Sequence, residues 1–186
     1  MVEIVKIEPI YVGWTKFSVA TFRLDDGSVI RREVEDHGRA ASVLPYDPER
    51  RVALVARQFR GPVRLADMAD FLEPPAGIVD EGETAADCAR REAMEEVGVR
   101  LGELEALGTY WASPGSSMER SDLFLAPYSA ADRIEEGGGT DDHEDIEVIE
   151  TPLQDLAGMI DRGELQDLKL FALVQSLRLR RPDLFS

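Results

Sequence analysis

Apolar residues alternate with polar ones, or cluster, in three runs of the first third of the chain: EIVKIEPIYVG, KFSVATFRL and SVIRREVED. All three are rich in β-branched and aromatic residues, the pattern of strands, and Asp26-Gly27 marks a hairpin between the second and third. Two further apolar runs, AASVLPY and RVALVARQFR, read as buried strands joined at a DPER turn, and ADFLEPPAG follows. The period then changes. From Ala85 to Val97 there is neither Gly nor Pro, and Ala86, Ala89, Ala93 and Val97 recur at helical spacing. Thr84 suits the N-cap, with Asp87 three residues on, and Gly98 suits a left-handed C-cap, so the pattern predicts one short helix. ELEALGTYWAS, SDLFLAPYS and IEVIE are further strands, the last preceded by a Gly-rich acidic loop, EEGGGTDDHED, from Glu135 to Asp145. Thr151-Pro152 is an N-cap and N1 signal for a helix toward Asp161, and a last helix is expected over about Leu168 to Leu179. Strands interleaved with helices predict an α/β sandwich with a mixed sheet, over residues 39–186. The initial strands, residues 1–38, form a small sheet of their own; they are too few to bury both faces, which makes a homodimer the expectation.

The predicted helix carries the chemistry. Glu92 and Glu96 lie four apart on one face, and Glu95 sits three from Glu92 on its flank. Carboxylates held so close repel, so the helix gains no stability from them; hard divalent ions take oxygen ligands and suit such a pair facing phosphates. Arg91 and Glu83 are placed to hold those ligands from behind. The bland alternative is a solvated acidic helix face, the usual meaning of an acidic run. The spacing of the whole segment argues against it: Glu83 follows Gly77 after five residues, Arg91-Glu92 after seven more, then come Glu95-Glu96 and Gly98.

Charge and cysteine content narrow the function. With 37 acidic and 21 basic residues the net charge is -16, which argues against a nucleic-acid surface. A small phosphorylated substrate stays open, because bound metal inverts the local field and a few arginines can hold a diphosphate. No run approaches the ~20 apolar residues of a membrane-spanning helix. The first residues lack signal-peptide architecture, and the expectation is a cytoplasmic protein. The single Cys88 falls by the alanine stripe of the helix, where a packed thiol is expected.

The segment GIVDEGETAADCARREAMEEVGV matches, in order and spacing, the box of the Nudix hydrolases. ARQFR, LEPPAG, ASPGSSMERS and GGGTDDHEDIEVIE resemble the subgroup of ADP-ribose pyrophosphatases and GDP-mannose hydrolases, so the resemblance covers most of the chain from about residue 39, and the initial strands look like that subgroup's dimerisation sheet. The resemblance implies that the Ala76 carbonyl, Glu92 and Glu96 bind Mg²⁺ or Mn²⁺, supported by Glu95 and Arg91. It implies that Arg60 contacts the diphosphate, that Glu73 lies near the substrate or the partner subunit, and that Ser113 and Glu119 line the pocket of the terminal sugar. Pro114, fifteen residues after Val99, falls where ADP-ribose-cleaving members carry a proline; alone, Pro114-Gly115 reads as an ordinary turn. The resemblance also implies a general base from the loop before the IEV strand, where Glu144, alternatively a metal ligand, is favoured over Asp142, and the bland alternative is a solvated acidic linker; His143 reads as exposed, and the spacing from the three glycines departs by about one residue from the GDP-mannose group.

The resemblance thus implies metal-dependent attack of water on a nucleoside diphosphate sugar, most simply ADP-ribose giving AMP and ribose 5-phosphate. GDP-mannose, giving GMP and mannose 1-phosphate, is a close second. A Nudix-like sensor that binds without cutting is a third reading, against which the complete set of box glutamates stands. Stacking on the base could come from Tyr11, Trp14 or Phe17 of a partner subunit, although such residues more often serve strand packing.

Overall fold

The computed structural model describes residues 1–140 and 145–186. The chain divides into two compact units, Met1–Ala40 with Thr109–Ser121, and Ala41–Gly108 with Asp122–Ser186.

In the first unit β1 (Glu3–Val12), β2 (Lys16–Arg23) and β3 (Val29–Asp36) form an antiparallel sheet in that order. The expected hairpin joins β2 to β3: Leu24 N–H donates to the Ser28 carbonyl at 2.8 Å, and Asp26 Oδ1 accepts from the Ser28 N–H at 2.9 Å. Residues 113–118 dock on β3, with Glu35 N–H donating to the Ser116 carbonyl and Met118 N–H to the Glu35 carbonyl. This segment and one sheet face enclose a largely apolar cleft of about 760 Å³, lined among others by Ile4, Ile7, Phe22, Trp111 and Met118.

The larger sheet takes β4 (Arg39–Asp47), β5 (Val52–Gln58), β8 (Glu105–Trp111), β9 (Arg120–Pro127) and β10 (Ile146–Pro152) in the order β10-β5-β4-β9-β8. Two short strands attach to it, β6 (Leu72–Glu73) on β5 and β7 (Ala76–Ile78) on β4. Alternate residues serve opposite faces. Val43, Leu54, Ala56, Phe124 and Ile146 pack beneath α2 (Ala85–Val97) through Ala89, Ala93 and Val97. Leu44, Ala53, Val55, Leu125 and Ile149 pack beneath α3 (Leu153–Asp161) and α4 (Leu168–Arg180) through Leu156, Leu173 and Leu177. A sheet buried on both faces by helices is the α/β/α sandwich that the sequence predicts.

Two local details differ from expectation. A five-residue helix, α1 (Gly61–Leu65), follows β5 where no helix is predicted. The helix expected from Thr151 starts later: Thr151 and Pro152 pair with Ala53 and Val52, and Pro152 itself is the N-cap, without a side-chain cap bond. Strand pairing has carried β10 two residues into the cap signal, and the Thr151 hydroxyl is left buried without a partner.

Candidate active site

Helix α2 forms where its caps allow. Thr84 Oγ1 accepts from the Asp87 N–H at 3.1 Å, and Gly98 turns left-handed at φ 68°, its N–H donating to the Met94 carbonyl at 3.0 Å. The buried stripe of Cys88, Ala89, Ala93 and Val97 fixes the helix on the sheet, and the small side chains allow close approach.

That rotation turns Glu92 and Glu96 toward the β6–β7 segment. The Ala76 N–H donates to Glu96 Oε2 at 3.0 Å. Gly77 lies so close to Glu92 that a Cβ there would collide with the carboxylate. The Ala76–Gly77 backbone, Glu92 and Glu96 are therefore neighbours. Glu96 is 6% exposed, and burial pushes its carboxyl up to about 8, with Glu92 and Glu73 adding repulsion against the bond from Ala76 and the attraction of Arg60. A carboxylate so far from its ordinary range signals a place shaped for positive charge.

Among the described residues no three His, Cys, Asp or Glu side chains form a ready metal cage. The donors present are two carboxylates and backbone oxygen, a hard set that fits a divalent ion which keeps waters and substrate oxygens in its remaining positions. Arg91 meanwhile gathers the acidic groups: its Nη1 donates to Glu92 Oε1 at 2.6 Å and to Glu95 Oε2 at 3.2 Å, its Nε to Glu83 Oε1 at 3.0 Å and its Nη2 to the Ile78 carbonyl at 3.2 Å. The guanidinium holds the Glu83 carboxyl below its usual range, chiefly through this hydrogen bond.

Arg60 and Glu73 form a bidentate pair, with Nε at 3.0 Å from Oε1 and Nη2 at 2.7 Å from Oε2. Glu73 is 4% exposed, and Nη1 of Arg60 lies outside the pair. Sequence reasoning named both residues but missed their partnership, which links β6 to the residue that precedes α1 and leaves no short-range signal. Cys88 is fully buried, its Sγ 3.4 Å from the Ile78 carbonyl oxygen, and burial raises its thiol to about 12, as a packed cysteine requires.

Ser113 and Glu119 belong to the first unit. Ser113 Oγ sits 3.3 Å from Ser116 Oγ, and Glu119 Oε2 lies 3.3 Å from His37 Nε2. His37 stacks on Trp14 with ring centres 5.1 Å apart, and its Nδ1 is 3.5 Å from Glu35 Oε1. Asp142, His143 and Glu144 lie outside the described residues.

Comparison with known proteins shows the family of the chain. The chain is 39% identical over 159 residues to a GDP-mannose pyrophosphatase of Cronobacter sakazakii, a match covering 83% of this chain and 82% of that protein. It is 37% identical over 183 residues to one of Klebsiella pneumoniae, covering 95% and 91% respectively. A crystal structure of an ADP compounds hydrolase superposes with a TM-score of 0.78, covering 98% of this chain and 95% of that one at 16% identity, and so shares its fold. The NUDIX domain model matches residues 36–174, and with the box glutamates in place on α2 the chain belongs to the Nudix hydrolases.

Proposed function

We propose that the protein hydrolyses the diphosphate bond of a nucleoside diphosphate sugar with Mg²⁺, and that GDP-mannose, giving GMP and mannose 1-phosphate, is its preferred substrate. The observation that carries the reaction is the meeting of Glu92 and Glu96 with the Ala76–Gly77 backbone, close enough to the Arg60–Glu73 pair for both its charges to act on Glu96. The relatives named GDP-mannose pyrophosphatase, matched over most of their length, support GDP-mannose over ADP-ribose. ADP-ribose is the second reading, and Pro114 is the residue that favours it.

Glu92, Glu96 and the Ala76 carbonyl hold the metal in this reading, which when bound supplies positive charge against the diphosphate and acidifies a water. Arg91 keeps Glu92 and Glu95 oriented, and its own charge tempers their repulsion. Arg60, steadied by Glu73, presents Nη1 to a phosphate oxygen. Glu144, or Asp142, accepts the proton from the attacking water, a contribution typically worth ~10²- to 10⁴-fold. The water oxygen bonds to phosphorus as the bridging P–O bond breaks, and the products leave as two monophosphates.

Residues 39–186 act as the catalytic domain, and residues 1–38 join two copies. Support for the dimer comes from the first unit, where Ile4 and Ile7 are 62% and 60% exposed beside the apolar cleft. The lone buried thiol suits a cytoplasmic setting, and among the described residues no helix is long and apolar enough to cross a membrane.

The test is hydrolysis of GDP-mannose and ADP-ribose side by side with Mg²⁺, read as phosphate released by a phosphatase that acts only on the products. Faster turnover of GDP-mannose supports the first reading and faster turnover of ADP-ribose the second. Tight binding without turnover of either would put a sensor in their place.

A further inference from the structure

Among the described residues three buried side-chain polar atoms have no hydrogen-bond partner, and two of them, Asp70 Oδ1 and Thr151 Oγ1, belong to residues that line one cleft. Thr151 as a whole is 9% exposed. A carboxylate oxygen or hydroxyl that is buried without a partner costs free energy, and folded proteins keep few of them. Two on one cleft call for a hydrogen-bond donor from outside the chain.

The cleft measures about 530 Å³, within the range of small-molecule sites. It lies on the α3–α4 side of the larger sheet, since Leu72, Ile149 and Met159 among its walls pack with the core beneath those helices. Thr151 is two residues from Ile149 on β10 and shares its face, while Asp70 comes from the segment that enters β6. Glu92 and Glu96 stand on α2, which covers the other face of the sheet. The cleft is therefore a separate place from the acidic site.

Charge decides what kind of donor fits. Two ionic groups of the cleft are already matched, Arg57 by Glu147 at 2.9 Å and Glu164 by Arg162 at 2.7 Å. Asp70 and Asp155 are not matched in this way. Asp70 Oδ2 has only a long contact, 3.5 Å, with Arg64 Nη2, and Asp155, in the first turn of α3, has no salt bridge among the described residues. Water would satisfy the hydrogen bonds and leave the charge; an ammonium group answers both. A bare metal ion is disfavoured, because among the described residues no three His, Cys, Asp or Glu side chains stand together to hold one. Primary alkylamines are protonated at neutral pH as lysine side chains are, and their methylenes suit apolar walls.

We propose that this cleft binds a short aliphatic diamine in its doubly protonated form. The ammonium groups donate to the Asp70 carboxylate and the Thr151 hydroxyl and face Asp155, and Leu72, Ile149 and Met159 cover the methylenes. The site does not depend on the diphosphate chemistry assigned to α2.

The methionines allow a direct test on the whole chain. Met68 and Met159 line the cleft, and the other three, Met1, Met94 and Met118, lie elsewhere. With the methionine methyl groups labelled with ¹³C, titration with diaminobutane followed by nuclear magnetic resonance should move the Met68 and Met159 signals saturably and leave Met94, on α2, and Met118 in place. Butanediol, of the same length without charge, and Mg²⁺, with the charge but no chain, should leave Met68 and Met159 unmoved. Asp70→Asn should raise the dissociation constant on the order of tenfold or more, and Thr151→Val about threefold or more. Met68 and Met159 signals that do not respond to the diamine overturn the proposal and leave water as the partner of both oxygens. Shifts there matched by butanediol or by Mg²⁺ overturn it too, as does an affinity unchanged in both variants. Should Asp70→Asn fail to fold, Thr151→Val, which keeps the outline of the side chain, decides alone.

Discussion

The two compact units are both built on strands, yet they treat their apolar residues in opposite ways. In the larger unit Val43, Leu44, Leu54 and Val55 point alternately to the two faces of the sheet and all are fully buried, because helices cover both sides. In the smaller one Ala20 is the most deeply buried apolar residue of the three strands, and Ile4, Ile7 and Ile10 stand mostly exposed. Local strand propensity is similar in the two; what differs is whether the chain brings a second layer to each face. The larger unit covers both faces of its sheet and can hold two repelling carboxylates in place, whereas the smaller one leaves apolar side chains exposed.

The comparison breaks most sharply at the carboxylates. Glu92→Gln or Glu96→Gln is expected to lower kcat on the order of 10³-fold or more, with the circular dichroism spectrum unchanged, since the charge stabilisation lost is several kcal/mol. Retained turnover in either variant would refute the assignment of the site. Glu96→Gln also has a consequence for stability. The Glu96 carboxyl is raised in the folded protein from 4.5 to about 8, so its favourable contribution is fully present below its unfolded value and is lost as pH climbs to about 8. In metal-free buffer the wild type should therefore lose up to a few kcal/mol over that window relative to Glu96→Gln, measured as urea midpoints at successive pH values. A constant difference across the window would contradict the buried charge.

At the second scale of effect stands the exposed sheet. If residues 1–38 join two copies as proposed, Ile4→Ser with Ile7→Ser should raise the dimer dissociation constant on the order of 10²-fold in sedimentation, given ~1.5 kcal/mol or more for each buried isoleucine, and should leave the melting of the larger unit in place. A dimer as tight as wild type would mean that these side chains are not at the interface. Smaller again is Glu73→Ala, which leaves Arg60 without its partner; because the guanidinium is partly exposed, about 2 kcal/mol of stability is expected to go, read by urea unfolding. Thr84→Ala removes the N-cap bond of α2 and should cost about 1 kcal/mol by the same measurement.

What could be read from the sequence follows from how local its causes are. Helix α2 is set by Thr84, an unbroken run of thirteen residues and Gly98, all within one stretch of chain, and its limits are found where predicted. The gathering of Ala76, Glu92 and Glu96 was legible only because the box has a known meaning; spacing alone puts the two glutamates on one face and says nothing of what they face. The Arg60–Glu73 pair and the burial of Glu96 depend on tertiary packing and were hidden. Thr151-Pro152 misled because strand pairing with Val52 and Ala53 outweighed a local cap signal. The three glycines were conspicuous, yet only the fold shows that they meet the end of α2.

The buried thiol has a practical side. Cys88 is the sole cysteine of the chain, has no exposed surface and resists ionisation up to about 12, so maleimide reagents should pass it by. The natural sequence is then already a background for labelling: one cysteine introduced at an exposed position on each unit would carry a fluorophore pair, and the distance between the units could be followed through a catalytic cycle without first removing anything from the protein.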